Sequence, residues 1–391
     1  MKKQHSEPYP AVLLGVLLGL FLLTAQGCSR GLQPAVGDRS LIAVFADEQT
    51  WATYGDAIDR VWRRRIDTPR REYIFEVRAI SPESWDYFQR FRNIVICAAI
   101  GDATPAGVRI REMLSPEARQ RIRDEQRAVH LIREDVWRSN QTVVILTADT
   151  SQRLLEHLER SRETLFDALL QRLNESVRKL LYAQEEQYEM EARFYREWDF
   201  LVRVPRDWRL NADQAEDRFV RMIKYLPERW FFAYWVPEEA MEEEGVVWIR
   251  QLQQTGRAMQ EGEDPDPSLV RSFGREAMDF RDRITRRYYD GDDINREETT
   301  ATLVTFNGRP AVRLQGLWEN DEEFVGGPMV TYCFWDENTR RVWWLDGAVF
   351  HPNEPKASYL RQVEVMLMTF RTGPEAETYL TSIEEHLGEE R

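Results

Sequence analysis

The sequence predicts an α+β protein: an N-terminal α/β layer, one long helix, and a C-terminal antiparallel meander covered by helices. Three observations carry this reading. Short apolar runs alternate with amphipathic helical patterns up to residue 149. Residues 150–198 then keep a helical apolar period with no glycine or proline. Beyond residue 302, β-rich runs succeed one another across tight-turn signals.

The chain opens with residues 1–27, which have the layout of a signal peptide. Lys2 and Lys3 precede an uncharged 15-residue run, Ala11 to Ala25, and Gln26-Gly27-Cys28 follows. A membrane span needs roughly 20 apolar residues, so the run suits a secretory leader better. Cleavage before Cys28 leaves a cysteine ready to carry lipid. This predicts a lipid-anchored protein of the cell envelope, and Ser29 in place of an aspartate favours the outer membrane. Ordinary cleavage with an unmodified Cys28, or an uncleaved anchor, are the alternatives. Residues 28–40 read as a lipidated, flexible tether.

Residues 41–149 form the N-terminal α/β region. Leu41 to Ala46 is a strand, and Asp47 caps a helix with Trp51, Tyr54, Ile58 and Trp62 on one face. Tyr73 to Arg78 is the next strand. Ser81-Pro82-Glu83 and Ser115-Pro116-Glu117 each carry a cap, a first-turn proline and an acid, and so start helices. Asn93 to Ile100 is a buried strand, and Val129 to Val136 with Thr142 to Leu146 forms a hairpin. Residues 150–198 are predicted as one connecting helix, packed against its own chain in preference to a coiled-coil partner. Residues 199–391 hold the antiparallel sheet and its helices: strands from Phe200, Phe219 and Trp230, a helix over 268–287, and the meander 302–306, 311–318, 329–335 and 342–350. Helices near 356–371 and 374–387 close the chain.

Composition excludes some functions. The net charge is −14, and it becomes more negative once Lys2, Lys3 and Glu7 leave with the leader. Such a surface repels phosphate backbones, so no nucleic-acid partner is expected. The basic cluster Arg63, Arg64, Arg65, Arg70 and Arg71 reads as a solvated helix end. Cys97 and Cys333 lie in apolar strands and read as buried free thiols, neither paired nor part of a zinc site.

Several blocks of the C-terminal meander are familiar. Gly316-Leu317-Trp318, Phe324-Val325-Gly326-Gly327-Pro328, Asp346-Gly347-Ala348-Val349-Phe350-His351-Pro352 and Lys356 to Leu367 resemble the bacterial lipoprotein family catalogued as domain of unknown function 4837. Arg92-Asn93-Ile94-Val95-Ile96, Phe219-Val220 and Arg281-Asp282 extend the resemblance over most of residues 40–370. It implies an envelope lipoprotein, and no catalytic residue comes with it.

The residues themselves carry no catalytic signature. No HExxH, GxSxG, GxGxxG or phosphate-loop spacing is present. Among the histidines, His351 at a strand end is the best candidate. Asp290-Gly291-Asp292-Asp293 lacks the spaced oxygens of a calcium loop and reads as a solvated turn. No metal, cofactor or catalytic residue is assigned. Gly326-Gly327-Pro328 reads as a meander turn, with a ligand loop as the alternative. The 13 tryptophans cluster on strands, where neighbours point to opposite faces. Either both faces of the sheet are covered, or some aromatics meet a ligand. Trp318, Gly326, Gly327, Trp343, Trp344 and His351 are the candidate ligand or partner surface. The predicted function is a binding or assembly module for an envelope protein or glycan. A carboxylate- or His-dependent hydrolase of envelope polymers is the alternative.

Overall fold

Two large sheets, each made by a separate half of the chain, share one helix, and residues 65–66 and 72–73 pair as a two-stranded sheet of their own. The computed structural model describes residues 31–214, 217–289 and 291–389. The leader and Cys28 lie outside the described residues. In chain order the first half runs β1 (Leu41–Phe45), α1 (Glu48–Trp62), β2 (Arg65–Ile66), β3 (Glu72–Tyr73), β4 (Glu76–Ile80), α2 (Trp85–Phe88), β5 (Asn93–Cys97), α3 (Pro105–Met113), α4 (Pro116–Asp124), β6 (Val129–Glu134) and β7 (Thr142–Thr147). The sheet order is β4-β1-β5-β7-β6, parallel except for β6 at one edge. Local chemistry sets the helix starts. Asp47 accepts from Thr50 N, Thr104 from Gly107 N and Ser115 from Ala118 N.

Residues 33–36 are not a free tether. Pro34 pairs with Ser139 and Val36 with Phe91, along the amino ends of β5 and β7. Residues 73–78 are likewise interrupted, since β3 and β4 belong to different sheets.

The expected single helix over 150–198 is three: α5 (Ser151–Arg160), α6 (Arg162–Leu181) and α7 (Tyr188–Trp198). The break at 182–187 is tertiary in origin. Gln187 N donates to Val204 O at 3.0 Å, and Gln187 Nε2 donates to Pro205 O and Trp208 O at 2.8 and 2.7 Å. Arg203 clamps both oxygens of Glu186 at 2.7 Å. A continuous helix would forfeit all of these bonds. Residues 200–205, expected as a strand, instead form isolated bridges to Arg371 and Glu186.

The second half contains β8 (Arg209–Gln214), β9 (Phe219–Lys224), β10 (Glu228–Pro237), α8 (Ile249–Gln260), α9 (Pro267–Tyr288), β11 (Asp293–Phe306), β12 (Arg309–Asn320), β13 (Val325–Asp336), β14 (Arg341–Phe350), α10 (Ala357–Leu367) and α11 (Gly373–Glu389). Its seven strands are ordered β11-β12-β13-β14-β10-β9-β8, every neighbour antiparallel. The fold is α+β. Gly326-Gly327-Pro328 is a correction: it lies within β13, paired with Glu319, Trp318 and Leu317, and the turn falls at 321–324 instead.

Both faces of this sheet are covered. Phe231, Trp235, Phe334, Trp343 and Leu345 pack under α7, the 200–204 segment and α10. Trp230, Phe232, Tyr234, Cys333 and Trp344 pack under α8 and α9. Successive residues therefore enter opposite cores, as the two-residue strand period requires. Cys97 and Cys333 are free and buried.

Helix α10 joins the halves. Leu360, Val363, Met366 and Leu367 belong to the core of the second sheet, while Val365 enters the core of the first. Its close approach needs Gly347, where a Cβ would lie 2.3 Å from Val363 Cγ1. Its first turn is capped across the chain, with the Glu72 carboxylate accepting from Lys356 N and Ala357 N at 2.8–3.0 Å.

Glu191 on α7 is fully buried. Its Oε1 accepts from Val204 N at 2.6 Å, and its Oε2 has no partner. Burial raises the carboxyl to about 8, although the Val204 bond pulls the other way. A folded value above the unfolded one near 4.5 means that the protonated group favours folding fully below that pH. This contribution is lost as pH rises through about 8. Glu191→Gln mimics the neutral form, so its urea midpoint should fall less between pH 5 and pH 8 than the parent's. Equal slopes for the two proteins would refute a protonated Glu191.

Candidate ligand cavity

At one end of the second sheet, the strand ends of β9, β10, β11, β12, β13 and β14 frame a cavity of about 420 Å³. That volume suits a small ligand. Trp230, Trp318, Tyr289 and Phe350 give it an aromatic lining, and Asn211, Arg221, Glu228, Asp292, Asn320 and Glu323 its polar one. Trp230 meets Trp318 edge-on at 5.1 Å and Tyr289 at 5.9 Å. Trp318 reaches Phe350 at 6.2 Å. The Arg221 guanidinium sits 4.5 Å above the Tyr289 ring, and its Nη1 donates to Tyr288 O at 3.2 Å.

The turn after β12 shapes the mouth. Asn320 Oδ1 accepts from Glu322 N and Glu323 N at 3.1 and 3.0 Å. Its Nδ2 donates to Asp292 Oδ1 at 3.0 Å. This turn projects Phe324, 92% exposed, while the β9–β10 turn projects Leu226, 93% exposed, beside the exposed Tyr225. Burial raises the Asp292 carboxyl above its usual range, opposed by the Asn320 bond and Arg281 and reinforced by Glu323 and Asp346.

Helix α9 holds the back of the site. Arg281 and Asp346 are both buried, with Nε to Oδ2 at 2.8 Å, and Thr331 Oγ1 donates to the same oxygen at 2.6 Å. The neighbouring Asp282 accepts from Ile294 N at 2.9 Å and from Arg296 Nη2 at 2.6 Å. These bonds tie α9 to β11, β13 and β14, and so fix Tyr288 and Tyr289. Burial works against the Arg281 charge, but Asp346 more than restores it. Four buried polar atoms in and behind this site have no hydrogen-bond partner: Trp318 Nε1, Tyr289 Oη, Arg221 Nε and Arg281 Nη1. Unpartnered buried atoms also occur elsewhere in both halves, at Thr50, Asp149, Trp208 and Glu191 among others, so those here do not by themselves single out the site.

Of the sequence candidates, Trp318 lines the cavity. Trp343 and Trp344 do not: both are completely buried, in opposite cores, so neither offers a ligand surface. Gly326 and Gly327 serve packing. A Cβ on Gly327 would lie 2.0 Å from Val349 O, and one on Gly326 2.7 Å from Trp318 O. His351 is half-buried, edge-on to Tyr359 at 5.5 Å. Sequence reasoning missed Arg221, Tyr289 and Asn320. Tyr288-Tyr289 ends the predicted 268–287 helix, but nothing local ties it to Trp230.

The first sheet also has a place where ligands commonly bind, beyond the carboxyl ends of β1 and β5 where the strand order reverses. Here it is filled by the chain. Asp102 Oδ2 accepts from Tyr54 Oη at 2.8 Å and Ala99 N at 2.9 Å, and Arg111 Nη1 donates to Ile100 O and Asp102 O at 2.7 Å. His130 Nδ1 and His157 Nε2 meet at 3.1 Å. Among the described residues, no group of three or more His, Cys, Asp or Glu is placed to hold a metal.

Comparison with known proteins follows the division into halves. Residues 222–369 match the family described as a domain of unknown function (DUF4837). Residues 35–181 match a different one, also a domain of unknown function (DUF8532). The Arg92-Asn93 block therefore lies outside the first match and inside the second. No curated protein matches the chain. A crystal structure of a protein from Bacteroides thetaiotaomicron aligns with 46% of this chain at 9% identity and a TM-score of 0.24. The alignment spans about half of that protein, 47%, and carries no argument about this one.

Removing one partner from the buried Arg281–Asp346 pair leaves an uncompensated charge, which costs about 3–5 kcal/mol. Asp346→Asn should lower unfolding free energy by that order in guanidinium titration. A change below about 1 kcal/mol would show that Asp346 is not the counter-ion that holds α9.

Proposed function

We propose that this protein, whose second half carries the DUF4837 domain, is an envelope lipoprotein anchored through Cys28 that binds a neutral glycan in the cavity floored by Trp230 and Trp318. The carrying observation is that cavity, with its aromatic floor and its amide and carboxylate lining. Aromatic faces suit the C–H faces of sugar rings, while carboxylates and amides suit hydroxyl groups. Charge narrows the class. Glu228, Asp292 and Glu323 outnumber Arg221 on the lining, which disfavours polyanions. Tyr225, Leu226 and Phe324 at the mouth extend the contact to a chain longer than one sugar. The envelope placement rests on the leader sequence. Among the described residues no helix is long and apolar enough to cross a membrane, and the anchor in this reading is lipid.

Asp292 supports a second reading, a glycan hydrolase. A carboxyl raised by burial in an aromatic cavity, with Glu323 on the same lining, has the chemistry of a general acid and its partner. Asp292 Oδ1 is already engaged by Asn320 Nδ2 at 3.0 Å, and of the candidate tryptophans only Trp318 lines this cavity. Binding is therefore the primary reading.

Calorimetric titration of the detergent-solubilised protein with chito- and cello-oligosaccharides should give saturable binding. Tyr225→Ala and Asn320→Ala should weaken it about tenfold, ~1.4 kcal/mol each. Absence of saturable heat with any neutral oligosaccharide would sink the glycan reading. Reducing-end release by the parent that disappears in Asp292→Asn would favour the hydrolase. Separately, Cys28→Ser should move the protein out of the membrane fraction, and retention there would identify the apolar run as an uncleaved anchor.

A further inference from the structure

We propose that the amino-terminal edge of the first sheet is a bilayer-contacting face, on which Leu32, Val36 and Tyr87 lie against the lipid surface. This rests on the reading of Cys28 as the lipid acceptor.

The path of the chain brings that edge to the membrane. Ser139 N donates to Gln33 O at 3.0 Å, Ala35 N to Ser139 O at 2.8 Å and Val36 N to Arg90 O at 2.9 Å. The segment 33–36 is thus fastened to the amino ends of the parallel strands. Only the four residues Ser29 to Leu32 separate this fastening from Cys28, five Cα-to-Cα steps to Gln33. Fully extended, five residues reach about 18 Å at most. A lipid on Cys28 therefore keeps this edge in the immediate vicinity of the headgroups.

The same edge carries apolar surface that the fold leaves uncovered. Leu32, Val36 and Tyr87 are 48%, 46% and 54% exposed. Tyr87 stands on an aromatic base, 4.9 Å from Phe88 and 5.6 Å from Phe91, and Val36 pairs with Phe91. The Arg90 guanidinium lies 4.8 Å over the Tyr87 ring. A tyrosine with an arginine beside it belongs at the level where acyl chains meet headgroups, because its ring is apolar and its hydroxyl wet. Asp38 and Asp86, also exposed nearby, limit the depth to that level. The acidic body as a whole gives no electrostatic attraction to anionic lipid, so the contact is apolar. A patch this small would not hold a free protein. Tethered by so short a link it need not, since the link converts the second contact into an intramolecular one.

The test uses the full-length lipidated protein in vesicles of phosphatidylethanolamine and phosphatidylglycerol that contain nitroxide-labelled phospholipid. Both native cysteines of the folded body are buried, so a fluorophore goes to Tyr87→Cys, or to Leu226→Cys on the second half as the reference. Quenching at position 87 should exceed that at 226 severalfold, and adding Leu32→Ser and Val36→Ser should reduce it while the protein still floats with the vesicles. Equal quenching at the two positions in a protein that floats would overturn the face and leave the anchor standing. A Cys28→Ser protein that stays in the membrane fraction of cells would overturn the anchor, and the proposed orientation with it.

Discussion

The constraint on which the structure depends is the alternation of large apolar residues along β10, β13 and β14. Phe231 and Phe232, Cys333 and Phe334, and Trp343 and Trp344 send adjacent side chains to opposite faces of one sheet. Such a sheet cannot leave either face in water, because each of these aromatics would expose a large apolar area. Helices α8 and α9 cover one face, and α7, α10 and the 200–204 segment cover the other. Helix α10 then joins the core of the first half through Val365 and is capped by Glu72. The two halves are joined because the second sheet requires that cover.

Each covered face holds a buried charge cluster. On the α10 side, Glu364 accepts from Tyr332 Oη and Arg313 Nη2, both at 2.7 Å, and pairs with Arg361. Burial alone would raise its carboxyl, but Arg313 and Arg361 overcome this and hold it at about 2. On the α9 side, Arg281 and Asp346 pair with Thr331, yet Arg281 Nη1 is left without a partner. The satisfied cluster lies in closed core. The incompletely satisfied one lies behind the cavity.

The first half contributes differently. Its strand order creates the crevice that α/β sheets commonly use for ligands, but Tyr54, Asp102 and Arg111 occupy it with their own hydrogen bonds. Its amino edge instead carries the chain segment next to Cys28. The separate family matches of residues 35–181 and 222–369 follow the same division between the two halves.

Sequence by itself determined what is written in local period and local chemistry. The caps at Asp47 and Ser115, the β6–β7 hairpin, the meander strands and the unpaired cysteines follow from neighbours a few residues apart. So does the two-sided aromatic pattern, although not which side of the choice between core and ligand surface it serves. Only tertiary structure decided the rest. The 150–198 pattern lacks glycine and proline, so nothing local ends the helix at Leu181, and the bonds that do so come from Val204, Pro205 and Trp208. Gly326-Gly327 has the composition of a turn, but Val349 O and Trp318 press on it from neighbouring strands and make it a packing site within β13. Trp318 was legible as a candidate because it ends a predicted meander strand close to the Gly326-Gly327-Pro328 block. Its partners Arg221, Tyr289 and Asn320 were not, because strand order brings them together and no spacing along the chain encodes that order.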